Sequence, residues 1–520
     1  KFESICIREN CPFYIIGKVT SKKYLVVTHD DKTPINLPMK YLLGKPPIIP
    51  IRINKTESKL SSEDNHYPSI KECIKNVLQL PCVSDKGFLI TIGDRSVTGL
   101  VSRDQLIGPN QIPVSNFSIT KSDINSTSGQ VCTIGEKPNI APCDSVSSVE
   151  MAFGEIITNI ASAHIEDLDN IKLSANWMAN SSNNRELYSL YTAVSRLSSL
   201  CIKCNIVIPV GKDSLSMSTK WIDKKPKEVS SPLSLVLSAF SKMKNIEKYV
   251  TPQSHKNSDL YLIDLGKNKN RMGGSALHQI LNKNQTVPPK IESIENLISF
   301  FKCTQELVRK DLVSAYHDRS DGGLITTVIE MSFASNMSFI MQKFDHNDHM
   351  KFLFNEELGG VFAISKKNKN KFLSIIKKYN LIDDTHYLGE LKHENEPELK
   401  LKQFNFKEPL YSLRKNWSEL SYLIQSERDN KKTAYAEYRS KIESHKNVFK
   451  HIKPKITYPI RNISKRYLTI KNKPKIAIFR EQGVNGHKEM ANAFKLVGFD
   501  CYDINTNDVI RKPNILDDFR

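Results

Sequence analysis

Three short stretches carry the residue types that handle phosphate and a divalent cation. "GDRSVTG" spans residues 93–99, "GKDSLSM" 211–217 and "HDRSDGG" 317–323; each joins an Asp, a cation and a Ser to small residues. Asp is a hard oxygen ligand for Mg2+. Lys or Arg offsets phosphate charge, and Ser supplies a short donor. Gly322-Gly323 stands at a predicted helix start, where free backbone N–H groups can receive an anion. Glu155 and Asn159 lie four residues apart on another predicted helix. They share its face and can chelate one hard cation, although an exposed polar edge has the same spacing.

The stretch around Gly211-Lys212 is not a P-loop. That motif needs a Gly five residues before the Gly-Lys pair and Ser or Thr directly after the Lys. Ile206 and Asp213 stand there instead. What remains is a β-branched strand, a Pro-Val bend, and a loop that presents Lys212 and Asp213 to a ligand. A solvated turn reads the same way.

Elements of fixed period must position these groups. Val149, Ala152, Phe153, Ile156, Ile160 and Ala163 form the apolar stripe of a helix over 144–163, with Ser147 and Glu150 spaced as a capping box. "SIKECIKNVLQL" is helical by the spacing of Ile70, Cys73, Ile74, Val77 and Leu78. "GFLITIGDRSVTGLV" reads as a strand entering a loop. "SPLSLVLSAFSKM" and "DLYLIDLG" read as strands, and Gly273-Gly274 opens a helix. "SAYHDRSDGGLITTVIEMSFA" reads as strand, loop and helix, and "KFLFNEELGGVFAIS" as strand, acidic turn and strand. Residues 1–52 read as strands, with the chain starting inside one. Residues 428–473 are Lys-rich with little pattern and read as a linker. Then "PKIAIFR", a Gly loop, "HKEMANAFKLVGF" and "DCYDI" make a βαβ unit with Gly498 as the helix stop.

At 520 residues the chain needs several cores, about three or four domains. No apolar run approaches the ~20 residues of a membrane span, and the first residues have no signal-peptide layout. The formal charge of +19 invites a nucleic-acid reading. The Lys residues are spread throughout, however, and no zinc finger, RNP signature or basic heptad region is present. The ten Cys are scattered, which points to a reducing compartment and a cytoplasmic location. Cys201 and Cys204 form a lone CxxC without a second pair, and read as structural.

In order, "GDRSVTGLVSRDQLIGPNQIPVSN", "EIITN", "IKLSANWM", "PVGKDSLSM", "SPLSLVLSAF", "HDRSDGGL", "FNEELGGV" and "REQGVNGHKEMANAF" resemble the large glutamine-dependent phosphoribosylformylglycinamidine synthases, from about Phe2 to Phe519. The resemblance implies an α+β fold: an aminoimidazole ribonucleotide synthetase-like N- and C-terminal domain pair, then the opening βαβ of a class I glutamine amidotransferase α/β domain. It places the tail of a first synthetase half at 1–52, the second half's two domains at 53–240 and 241–440, a linker at 441–473 and the start of the glutaminase at 474–520. On this reading the chain is a fragment. Its partners are the remaining N-terminal half and glutaminase of the same polypeptide, with no nucleic acid and no membrane.

The family's reaction is ATP-dependent amidination of formylglycinamide ribonucleotide with ammonia from glutamine. By position, Glu155, Asn159 and Asp318 match the family's Mg2+ ligands in this half. Ser320 matches a nucleotide contact, with Ser115, Lys212 and Asp213 as further candidates for ATP or ADP. Asn116 stands where the family has a ligating Asp; it brings an amide oxygen but no charge. The family uses this second site structurally, holding ADP without turnover. The fragment alone is expected to be inactive. A non-catalytic remnant and a basic nucleic-acid-binding protein are the alternatives. Cys501, at a strand start, reads as core, with the glutaminase nucleophile expected beyond Arg520.

Overall fold

The computed structural model describes all residues except 46–49, 57–59, 62–65, 91–92, 94–98, 284, 345, 347, 448–454, 458–468 and 520. They form two compact units: Lys1–Ile53 with Thr457–Arg520, and Asn54–Ile456. The first unit opens with α1 (Phe2–Arg8), the antiparallel hairpin β1 (Tyr24–His29) and β2 (Lys32–Pro38), and the short α2 (Met39–Leu43). The sequence predicts strands here from residue 1. Instead the first residues are helical, with Ile5 N–H on the Lys1 carbonyl. "YIIGKV" (14–19) forms no strand. β-branched content favours a strand only where a neighbour completes its hydrogen bonds, and among the described residues none pairs with this segment.

The second unit begins with α3 (Ile70–Gln79) and α4 (Gly87–Ile90). Cys73, Ile74, Val77 and Leu78 bury the predicted face of α3. Gly87–Ile90 is a helical turn rather than the expected strand, and the adjoining "GDRSVTG" loop lies almost wholly outside the described residues. Next come β3 (Val101–Arg103), β4 (Ser118–Lys121), β5 (Gly129–Glu136), α5 (Ser145–Ile160), β6 (Lys172–Met178), α6 (Asn184–Cys204), β7 (Val207–Ser214), the hairpin β8 (Ser218–Asp223) and β9 (Lys225–Ser230), and β10 (Ser234–Met243). Six of these strands form one sheet in the order β3-β4-β5-β10-β6-β7. Side chains of β5 alternate between buried and more exposed, as a strand with one covered face requires. The covering element is α5, with Val149, Ala152, Phe153 and Ile156 fully enclosed. Its cap is Asp144, which accepts the Ser147 N–H at 2.9 Å. The expected Ser147–Glu150 box does not form, because Glu150 turns to Arg196 and the Ile291 N–H.

The remaining elements of this unit are β11 (Ser258–Asp264), α7 (Ala276–Ile280), α8 (Ile294–Arg309), β12 (Ala315–Asp318), α9 (Gly323–Ser335), β13 (Ser338–Met341), α10 (His349–Phe354), β14 (Gly359–Ile364), α11 (Lys369–Lys378), β15 (Thr385–Lys392), β16 (Glu398–Leu401), β17 (Phe406–Pro409), α12 (Leu410–Arg428) and α13 (Lys431–Asn447). The second sheet runs β12-β14-β11-β15-β13-β16-β17. Every residue of β11 and β14 is buried, so this is a sheet covered on both faces. Two stretches differ from the sequence reading. "KFLF" is helical because Asp348 caps it, and Phe352, Leu353 and Phe354 are all buried, which a strand with one covered face would not allow. The Lys-rich stretch after 428 holds α13, which packs on α12 through buried Ala434 and through Tyr438 stacked on Tyr422.

The first unit resumes with β18 (Lys475–Arg480), α14 (His487–Leu496), β19 (Asp500–Asn505) and α15 (Thr506–Arg511). β18 and β19 pair in parallel around α14, and Gly498 takes φ +95°, as the expected βαβ unit with its glycine stop requires.

Candidate functional site in a cavity of the second unit

A cavity of about 450 Å3 opens where β4 and β5 of one sheet face the end of β12 in the other. Ser115 and Asn116 reach it from the segment before β4, Glu155 and Asn159 from successive turns of α5, and Asp318 and Ser320 from the end of β12. These six sequence candidates therefore meet at one place. Lys212 and Asp213 do not join them. They belong to β7 itself, not to a loop after it, and line a separate apolar cavity with Trp177, Leu197 and Ile208.

Asp318 is buried and heavily contacted. Asn116 Nδ2 donates to its Oδ1 at 3.0 Å. Asn159, with its amide nitrogen turned to the carboxylate, donates at 3.0 and 3.3 Å. The Asn116 orientation follows from His317, whose Nδ1 lies 2.8 Å from the amide oxygen while Nε2 lies 2.8 Å from Glu330. Both ring nitrogens face oxygens, which an imidazolium satisfies by donating twice. Burial works against that charge, but bonds to Asp318 and Glu330 outweigh it and hold His317 up to about 9. Asn116 thus spends its oxygen on His317 and shows its nitrogen to Asp318. To ligate a metal through oxygen it must first release His317.

Glu155 is held differently. Its Oε2 accepts the Glu136 N–H at 2.9 Å, and its Oε1 accepts from Ser320 Oγ. Lys137 is the centre of this cluster and was missed by sequence reasoning. Its ammonium, almost wholly buried, donates to Ser320 at 2.8 Å, pairs with Asp321, and lies 3.5 Å from Glu155. Burial depresses Lys137, but Asp321, Glu155 and Glu356 outweigh it and hold the ammonium well above its ordinary range. Burial pushes Glu155 up, against the pull of Lys137 and with Asp321 and Asp318 adding to the rise. The available signal was Lys137's place one residue beyond β5, opposite the Asp-rich loop. Lys86 was missed as well. It lines the cavity and donates to the Cys82 and Ser84 carbonyls at 3.1 and 2.6 Å.

The helix start at Gly322-Gly323 also departs from expectation. Gly322 N–H is taken by Glu356 at 2.8 Å, and the same carboxylate accepts the Ala276 N–H at 2.8 Å. An internal carboxylate fills the anion position that the sequence offers to phosphate. Gly323 has φ +73° and a Cβ there would sit 2.6 Å from the Asn355 carbonyl, so only glycine fits.

Carboxylate oxygens of Asp318 and Glu155, with amide oxygens of Asn159 and Asn116 once these side chains turn, suit a hard cation such as Mg2+. Asp318 and Glu155 supply the charge. Ser320, Ser115 and the two lysines are donors suited to a phosphate.

Three family models match the chain in succession: an FGAR-AT PurM N-like domain over residues 85–242, the C-terminal domain of AIR synthase related proteins over 261–402, and a CobB/CobQ-like glutamine amidotransferase domain over 473–520. The chain belongs to the FGAR amidotransferase family. Among solved structures, Thermotoga maritima PurL complexed with FGAR shares 12% identity, covering 67% of this chain and 54% of its own, with a TM-score of 0.47. PurLQS from the same organism also shares 12%, over 67% and 52%, with a TM-score of 0.46. Escherichia coli HypE, a hydrogenase maturation protein, shares 12% over 54% and 84%, at 0.37. The chain spans about half the length of the PurL structures it matches. The FGAR amidotransferase family makes the α+β reading and its paired synthetase-like domains intelligible: residues within 115–159 and within 318–320, from the two domains, both line the cavity. Cys501 is half-buried with its thiol on the Ala491 carbonyl, and burial raises it, the opposite of an activated nucleophile. Among the described residues no helix is long and apolar enough to cross a membrane.

Proposed function

We propose that the chain serves a phosphoribosylformylglycinamidine synthase, amidinating formylglycinamide ribonucleotide with ATP and glutamine-derived ammonia. Within it, the cavity at Asp318 holds an adenine nucleotide with Mg2+. The observation that carries this reading is the convergence of Asn116, Glu155, Asn159, Asp318 and Ser320, drawn from the segment before β4, from α5 and from the end of β12, in one polar cavity. When bound, Mg2+ would neutralise phosphate oxygens and stabilise developing charge. Asp318 would hold it, joined by Asn159 once its amide oxygen turns to the ion, Glu155 would add its charge, and Ser320 and Lys86 would bind phosphate oxygens. The commitment of Asn116 to His317, and of Glu155 to Lys137 and Ser320, favours a holding site over one that cycles. PurL from T. maritima has been solved with ATP and with ADP, which supports a nucleotide as the ligand.

On the same reading the synthetase-like domains lie at 53–240 and 241–440, the amidotransferase portion starts near 474, and the work is cytoplasmic. Calorimetric titration of Mg·ADP into the folded chain tests the site. Binding that requires Mg2+ is expected, and no heat above dilution overturns the reading.

A further inference from the structure

Ile7, Arg8 and Glu9, at the end of α1, engage the far end of the chain through a dense polar contact. Arg480 Nη1 and Nη2 meet the two Glu9 oxygens at 2.8 and 2.7 Å, a fork-to-fork pair. Arg8 bonds the Asp503 carbonyl at 2.8 Å and the Asp508 carboxylate at 3.1 Å. Gln482 Nε2 donates to the Glu9 carbonyl at 2.7 Å, and Arg511 donates to the Ile7 carbonyl at 2.8 Å. These partners share one location. Arg480 ends β18, Asn505, whose Nδ2 donates to the Glu9 carboxylate at 3.2 Å, ends β19, Gln482 lies in the loop after β18, and Asp508 and Arg511 belong to α15 after β19. The contact is thus built on the carboxyl edge of a parallel strand pair, where α/β sheets bind their ligands.

We propose that the Arg8-Glu9 pair is a docking clip that positions the loop at Glu481–Gly486 on the ligand-binding edge of the amidotransferase-like sheet. The loop needs such support. Glu481, Gln482, Gly483 and Val484 are exposed, Gly483 has φ +85°, and a Cβ at Gly483 or Gly486 would meet nothing within 4 Å. Within itself the loop has a turn bond from Val484 N–H to the Glu481 carbonyl at 3.3 Å and one from Gln482 N–H to the Glu481 carboxylate at 2.8 Å, and the Gln482 side chain ties it to Glu9. Residues some 470 positions upstream supply the restraint, so Arg8 and Glu9 set the geometry of the loop at Glu481–Gly486. The inference rests on this packing and not on the nucleotide reading of the other unit.

Hydrogen exchange on the full chain tests it. Glu9→Lys sets an ammonium against the Arg480 guanidinium, and Arg8→Glu sets a carboxylate against Asp503 and Asp508. Either is expected to speed exchange of the Glu481–Gly486 and Thr506–Arg511 amides at least tenfold while α14 keeps its protection. Glu9→Gln, which keeps the shape and loses the charge, should fall between. Unchanged exchange in both charge-reversed variants overturns the clip. Loss of protection throughout α14 overturns it too, since the segment would then be ordinary core of its unit.

Discussion

Glu155 and Glu306 are the same residue type in opposite electrostatic situations. Glu155 lies in the cavity among Asp318 and Asp321, and burial pushes it up to about 7 although Lys137 pulls the other way. Glu306, at the outer side of α8, bonds Lys310, Lys378 and Tyr379 at 2.7, 2.6 and 2.8 Å. Those bonds overcome its burial and hold it down to about 2. The difference lies in the partners. Glu306 has two lysines that are about half exposed and cheap to charge. Glu155 shares one buried ammonium with Asp321, so the cavity carries negative charge its own cations do not fully answer. Such a surplus suits a site that awaits a cation, whereas a saturated pair serves the fold.

The sharpest way to break this comparison is to remove the buried cation. Lys137→Met leaves Asp321 and Glu155 without their ammonium in a site that excludes water. A loss of about 3–5 kcal/mol is expected, read as a fall in the denaturant midpoint. Lys137→Arg, which keeps a charge, should lose less. Equal stability of Lys137→Met and the parent would mean that the cluster is not charged as described.

Next is the ligand itself. Asp318→Asn removes the carboxylate that both asparagines address and should weaken Mg·ADP by several-fold to a hundredfold, roughly 1–3 kcal/mol. Calorimetry reads this directly, and parent-like affinity would misplace the site.

Much of this cavity was legible in the residues. The four-residue step from Glu155 to Asn159 needs only helical geometry, and α5 delivers it because its apolar stripe was unambiguous. Asp318 and Ser320 followed from a strand ending in a loop before a glycine pair. What stayed hidden depended on distant partners. Glu356 reaches Gly322 from a loop 34 residues on, and no local pattern announces that the helix start is already occupied. Lys137 looked like one more lysine in a Lys-rich chain. Lys212 and Asp213 misled in the other direction: a Gly-Lys-Asp step resembles a loop, but parallel pairing with β6 carries β7 straight through it.

A smaller effect is expected at Asn116. Its oxygen faces His317 and its nitrogen faces Asp318, so Asn116→Asp turns a donor into a second carboxylate beside the first. The imidazolium of His317 can balance part of that charge. A several-fold tightening of Mg2+ dependence is expected in the same titration. No change would show that this position does not address the metal.

The smallest effect lies at Glu306, and it tests the other side of the comparison. Its folded value, about 2, is below the ordinary glutamate value of 4.5, so its stabilisation is fully present above 4.5 and is lost as pH falls towards 2. Lys310 and Lys378 are about half exposed, so water and salt screen the pairs, and the whole contribution should be about 1 kcal/mol or less. Glu306→Gln should therefore cost little at neutral pH. It should also flatten the acid limb: between pH 4.5 and 2 the variant should lose less stability than the parent, and the two curves should converge at the acid end. Salt near 1 M should narrow the gap at pH 7, since exposed pairs are screened over a few ångströms there. Denaturant midpoints measured across that range decide the matter. Parallel curves for parent and variant would mean that Glu306 gains nothing from its lysines, and the contrast with Glu155 would then rest on burial alone.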